Sequence, residues 1–341
     1  MKFIRSALLV AIILVTTFVA FQYWTFIRPH PELNGTAVLN VWPGARSADI
    51  YKQLRAKNVD ISELNFKIWA RASRVGSKLR KGEYVIDLKW SHSKILGHVL
   101  YGLPLLHSFT VKEGLNIYDI ENIYQGAFPK LTDAQFQALA RSPKRLEKMG
   151  IPVSKLPSKV RSLEGFLFPE TYAYQIYDSA EMLIEAQLNQ FQRRAMPILQ
   201  DHPWAKESDG IFRLVTLASI VEKESGDVAE QPIVASVFWN RIKKNMRLES
   251  DPTIIYPLLP LFDGNIRKSD IQTKNDYNTY RMKGLPRGPI SNPGESAIRA
   301  VVNPAQTDYL FFVAKGDGTH VFSKDYATHH KFVQQYILKK K

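Results

Sequence analysis

Leu214-Val215-Thr216-Leu217-Ala218-Ser219-Ile220-Val221-Glu222-Lys223-Glu224-Ser225-Gly226 is an apolar run that ends abruptly in charge. Its apolar residues recur three and four apart, which predicts a helix over Ile211–Glu224 with Gly226 as the stop. Leu217, Ile220 and Val221 lead along one face to Glu224, whereas Glu222 shares its side with Ala218, Ser219 and Ser225. A carboxyl that continues a buried stripe is desolvated, which favours its neutral form. The negative end of the helix dipole pushes the same way. A protonated carboxylic acid near neutral pH is what general-acid catalysis requires. The bland reading of the same residue is a solvated glutamate at a fraying helix end.

Working outward, a helix is expected over Ala180–Leu199 before this one and another over Ile233–Lys244 after it. Upstream, Ser108 opens a new region with a strand at Phe109–Val111, helical segments through Lys148 and a connection containing Pro152 and Pro157. Downstream, the pair Tyr309–Ala314 and His320–Phe322 flanks Lys315-Gly316-Asp317-Gly318, a hairpin signal. Between lie polar-aromatic clusters: Asp251-Pro252-Thr253-Ile254-Ile255-Tyr256, Tyr277-Asn278-Thr279-Tyr280 and Gly284-Leu285-Pro286-Arg287-Gly288-Pro289-Ile290, with Glu164–Tyr172 upstream. Aromatic faces beside hydrogen-bonding groups suit sugar rings, although each cluster alone also reads as a rigid, Pro-locked turn.

The first hundred residues differ in kind. Lys2 and Arg5 precede Ala7–Ile27, a run without charge, of 21 residues and about 31 Å as a helix, enough to cross a bilayer of about 30 Å. Its exit, Phe21-Gln22-Tyr23-Trp24, is bulky and aromatic like an interfacial belt, where a cleaved signal would end in small residues. The basic start places residues 1–6 in the cytoplasm and the rest beyond the membrane. A linker over 28–36 follows. Val38–Trp42 alternates as a strand, Ser47 and Ser62 can cap two short helices, and Glu83–Leu88 reads as a second strand. This βααβ order over 37–107 is that of small LysM-type glycan-binding modules, and equally of a plain spacer. The expected class is therefore α+β: one membrane helix, a small βααβ subdomain and a larger mixed α+β catalytic region over 108–341.

Composition bounds the chemistry. With 341 residues, about two domains are expected. No cysteine is present, which excludes disulfides, thiolate metal sites and a cysteine nucleophile. There is no GxGxxG, P-loop, HExxH or GxSxG, and the eight histidines lack ligand spacing, so neither a cofactor nor a metal is expected. The net charge of +14 attracts polyanions, but a chain placed outside the cytoplasm makes nucleic acid an unsuitable partner.

Leu217-Ala218-Ser219-Ile220-Val221-Glu222-Lys223-Glu224, with Asn240-Arg241, Asp251-Pro252-Thr253 and Tyr256, Tyr277-Asn278-Thr279-Tyr280 and Gly284-Leu285-Pro286, resembles the endolytic murein transglycosylase (MltG, YceG-like) family over nearly the whole chain. The resemblance implies a lyase that cuts the β-1,4 bond between N-acetylmuramic acid and N-acetylglucosamine inside peptidoglycan strands and leaves 1,6-anhydro ends. It implies Glu224 as the catalytic residue, with Ser225, Asn240, Asp251, Thr253, Tyr256, Tyr277, Asn278 and Tyr280 as candidate substrate-binding residues. It implies a single-pass protein of the cell inner membrane with its C-terminal domains in the periplasm, working beside peptidoglycan synthases. The opposing reading is a membrane-tethered cell-wall-binding protein without catalysis. Asp251 is the rival carboxylate that would restore ordinary hydrolysis.

Overall fold

In the computed structural model, which describes residues 2–156, 160 and 162–338, the chain is mixed α+β and divides into two units. Pro157 and the Lys339–Lys341 tail lie outside the described residues.

The first unit comprises Met1–Ser108 and Ala173–Asp178. It opens with α1 (Lys2–Ile27), an apolar helix long enough to cross a bilayer, its side chains lying open along most of its length. β1 (Thr36–Val41), α2 (Ser47–Ala56), α3 (Glu63–Ala72), the short α4 (Val75–Lys78) and β2 (Gly82–Asp87) follow, then α5 (His92–Tyr101). β1 and β2 are antiparallel, with Leu39 opposite Tyr84 and Val41 opposite Gly82. Leu39, Val41, Tyr84 and Ile86 alternate inward onto Ile50, Leu54, Phe66 and Ile95, which form the core. Two caps differ from expectation. Arg46, not Ser47, precedes α2, and its N–H donates to Asp49 Oδ2 at 2.8 Å. Ser62 stands at the start of α3 but makes no capping bond. Residues 173–178 return to this unit from far along the chain: Tyr177 donates to Asn40 and accepts from Lys81 Nζ at 2.9 Å.

The second unit comprises Phe109–Tyr172 and Ser179–Lys341. β3 (His107–Val111) leads into α6 (Ile117–Ala127) and α7 (Asp133–Ala140), and β4 (Glu170–Tyr174) pairs with β3. α8 (Ala180–Arg194) and α9 (Met196–Gln200) replace the single helix expected over 180–199. The break at Ala195 follows from Pro197, which has no N–H to give and crowds the preceding turn. α10 (Gly210–Glu224), α11 (Gln231–Lys243), α12 (Pro252–Ile255), α13 (Lys268–Gln272) and α14 (Glu295–Val302) come next. The hairpin of β5 (Phe311–Ala314) and β6 (His320–Ser323) then leads to α15 (Tyr326–Val333). α10 is the centre, packed by α11 and α14, and every residue from Leu214 to Val221 is buried. The one-sided stripe expected from its sequence is thus a helix covered all round. Its polar core residues are satisfied: Thr216 donates to Phe212 O at 2.8 Å and Ser219 to Thr216 O at 2.7 Å.

Candidate active site

Glu224 is the last residue of α10, delivered by a helix whose other turns are locked in the core. It keeps part of its surface open to solvent. Burial nonetheless pushes its carboxyl up to about 7; the Ser250 hydroxyl opposes the rise, the charge of Asp251 adds to it and that of Arg241 opposes it. Among the described residues buried Ser250 Oγ makes no hydrogen bond of regular geometry, so its proximity rather than a full bond favours the carboxylate. The sequence expectation of a desolvated acid at a helix end is met, with burial as its main cause.

The wall facing Glu224 is the segment Glu249-Ser250-Asp251, which enters through a left-handed turn at Glu249 (φ 49°). It is held from behind. Thr279 Oγ1 accepts from Ser250 N at 3.0 Å, Thr253 donates to Ser250 O at 2.6 Å, and the two threonine hydroxyls bond at 2.8 Å. Exposed Asp251 accepts from Tyr280 OH at 2.7 Å. Arg241 is buried and gives its guanidinium to Leu310 O and Leu248 O, both at 2.6 Å, so it ties α11 to two loops while lending charge to the site.

A second acid lies one short helix away. α12 starts beyond Asp251 and is followed at once by Tyr256, whose hydroxyl donates to Glu164 Oε2 at 2.9 Å. Glu164 also accepts from Ile117 N at 3.0 Å, in the first turn of α6, and from Asn292 Nδ2 at 2.8 Å. It is fully buried, and burial pushes it up to about 7 against the Ile117 and Tyr256 bonds. Glu164 forms the floor of a cleft of about 470 Å³ lined by Tyr118, Arg141, Tyr256, Tyr277 and Arg287. Tyr256 and Tyr277 pack with ring centres 4.9 Å apart. The turn that sets Glu164 requires Gly165, at φ +87°, where a Cβ would come within 2.7 Å of both Pro289 and Val215.

Glu222 is a third raised carboxyl. Burial lifts it to about 6, against a 2.9 Å bond from Gly294 N and with the charge of Glu113 reinforcing the rise. The sequence reading that Glu224, rather than Glu222, continues the buried stripe is therefore too sharp a contrast, because α14's entry loop covers the other side of the helix end.

The nine sequence candidates separate into two groups. Glu224, Asp251 and Tyr280 come together, and Tyr256 and Tyr277 line the neighbouring cleft. The other four are committed inside the fold. Ser225 is buried and donates to Asp227 O at 3.0 Å. Asn240 donates to Thr307 O and Tyr309 O, at 2.8 and 3.0 Å. Thr253 and Asn278 are wholly buried, and Asn278 Nδ2 braces its loop through Thr273 O at 2.8 Å and Ile271 O at 3.0 Å. Sequence reasoning did not single out Ser250, Thr279, Asn292 or the role of Glu164. Of these, Glu164 and Thr279 lie in the polar-aromatic clusters of the sequence.

This is a glutamate-centred site on a mixed α+β unit, and comparison with known proteins identifies the class. Residues 39–335 match the model of the YceG-like family, and the chain belongs to it. A protein of Bacillus subtilis named endolytic murein transglycosylase is 38% identical over 179 residues, 52% of this chain and 49% of the relative. One of Streptococcus pneumoniae with the same name is 30% identical over 288 residues, 77% of this chain and 51% of the relative. The chain thus spans about half the length of these curated relatives. The crystal structure of a YceG-like protein from Listeria monocytogenes superposes with a TM-score of 0.61 at 27% identity, over 87% of this chain and 98% of that one.

Proposed function

We propose that this chain is a membrane-anchored endolytic transglycosylase that cuts the β-1,4 bond between N-acetylmuramic acid and N-acetylglucosamine within peptidoglycan strands and so ends their elongation. The observation that carries the reading is Glu224, a carboxyl held neutral to about pH 7 yet partly open to solvent, beside an uncommitted buried hydroxyl. The relatives' shared name supports the substrate.

Glu224 donates its proton to the glycosidic oxygen as the C1–O bond breaks, and the bonding pair leaves with that oxygen. The carboxylate then takes the proton of the muramoyl 6-hydroxyl as that oxygen bonds to C1. The product is a 1,6-anhydro ring, no water is consumed, and Glu224 ends protonated as it began. Hydrolases of either stereochemistry need a second carboxyl as base or nucleophile, whereas here the substrate supplies the nucleophile. The state of the neighbours favours this: Glu164 is buried under three donors, and Asp251 already accepts from Tyr280.

In this reading α1 is the anchor and the βααβ part of the first unit a LysM-like glycan contact. Deleting residues 36–106 then weakens binding to purified peptidoglycan, and unchanged binding makes that part a spacer. The main test is digestion of purified sacculi followed by mass spectrometry. Glu224→Gln is expected to release no fragments while keeping its circular dichroism spectrum, and the wild type to give anhydro ends. Reducing ends carrying added water would refute the lytic step, and full cellular function of Glu224→Gln would favour the non-enzymatic tether.

A further inference from the structure

α3 carries an apolar face that its own unit does not cover. Leu64 and Ile68, four apart and so on one side, are 54% and 58% exposed, while Phe66 on the other side is buried in the core. The uncovered face adjoins α1. Asn65 Nδ2 donates to Gln22 Oε1 at 2.8 Å, and Phe18, Tyr23 and Phe26 form with Leu64 and Ile68 a groove of about 310 Å³. Gln22 lies five residues before the end of α1 at Ile27, about 7.5 Å along the axis, and Phe18 about 13 Å.

We infer that α3 is an interfacial helix that lies in the outer leaflet, with Leu64 and Ile68 among the acyl chains. The inference rests on α1 being the membrane anchor. If the bilayer boundary falls near Ile27, a side chain level with Gln22 is about 5–10 Å below it, the depth at which amphipathic helices settle. Charge agrees with that placement. Between Glu63 and Lys81 the sequence holds six basic residues (Lys67, Arg71, Arg74, Lys78, Arg80, Lys81) and one acidic residue, Glu63. Such a stretch is drawn to anionic headgroups, each cation near the surface adding about 1 kcal/mol. Trp69, half-buried against Phe66 at 5.9 Å between ring centres, is the residue type that favours the headgroup level. α3 then fixes the first unit against the membrane by a second attachment, and its apolar face is not a sugar-binding surface.

The chain has no cysteine, so Ile68→Cys in the full-length protein takes a single bimane label. The protein is placed, one copy per disc, in nanodiscs of phosphatidylcholine and phosphatidylglycerol, and emission is read with nitroxide-bearing lipids and with aqueous iodide. The expected result is loss of most of the emission to a nitroxide on the upper acyl chain and little loss to iodide, with the melting temperature of the wild type retained. Quenching by iodide alone overturns the inference. So does shielding from both quenchers, which would mean that protein covers the face. A label at Ala11→Cys reports the span: if it too escapes lipid quenching, the anchor itself fails, whereas a quenched Ala11 label beside an iodide-accessible Ile68 label refutes only the α3 placement.

Discussion

Replacing Glu224 with glutamine removes one ionisation and almost nothing else, so its effect on stability can be worked from the site. An unfolded glutamate releases its proton near 4.5, and burial in the fold delays release to about 7. Between those values the folded chain binds more protons than the unfolded one, so stability falls as pH rises through this window. Below 4.5 the residue costs nothing. Above 7 the full difference applies, which at about 1.4 kcal/mol per pH unit is on the order of 3 kcal/mol. Glutamine has no such dependence. Glu224→Gln is therefore expected to match the wild type at pH 4 and to exceed it at pH 8 by up to that amount, on the order of 10 °C in melting temperature for a unit of this size. Parallel thermal melts of both proteins from pH 4 to 8.5 read the difference directly. Glu164 and Glu222 are raised in both proteins, so their contribution to the pH slope cancels. A gap that stays constant with pH, or a variant less stable than wild type at pH 8, would refute a burial-raised acid at this position.

Asp251→Asn removes a negative charge that raises Glu224, so the alkaline limb of fragment release, expected near pH 7, should move to lower pH. Because burial is the larger cause, the move should be less than about one pH unit, read from a rate profile on purified peptidoglycan. Tyr256→Phe deprives buried Glu164 of one donor and should cost about 1–2 kcal/mol in urea unfolding. Asn292→Leu should cost more, about 3 kcal/mol, because it strips a donor from Glu164 and leaves the Leu167 N–H, now 2.9 Å from Asn292 Oδ1, without an acceptor. Equal losses for the two variants would show that Asn292 is not the keystone its bonds suggest.

What could be read from the sequence is what adjacent residues decide. Glu224 and the 311–323 hairpin follow from helical spacing and from Asp317-Gly318, signals contained in a dozen residues. Pro197 is equally local, and its break of the 180–199 helix was legible in principle. Glu164 was not, because its three donors stand 47, 92 and 128 residues away in sequence. The return of 173–178 to the first unit depends on partners as distant, such as Asn40 and Lys81. Thr253 and Asn278 fail in the opposite direction. A polar residue in an aromatic cluster looks like a sugar ligand, yet turns that carry a site need internal hydrogen bonds, and these side chains supply them.

Three carboxyls of the second unit, Glu164, Glu222 and Glu224, are pushed upward by burial, so a raised pKa alone does not assign the acid. The decisive difference is what each oxygen already touches. Glu222 is capped by the Gly294 N–H, in a spot so tight that a Cβ on Gly294 would lie 2.0 Å from Glu113 Oε1. Glu164 is enclosed by a backbone N–H, a phenol and an amide, which fix it as a buttress for α6, α12 and the Asn292 loop. Glu224 carries no such set of donors and faces the Ser250 hydroxyl. A general acid must hold its proton until the substrate arrives and then have an unobstructed route to give it away. Burial supplies the first condition to all three glutamates, and the second is met best by Glu224.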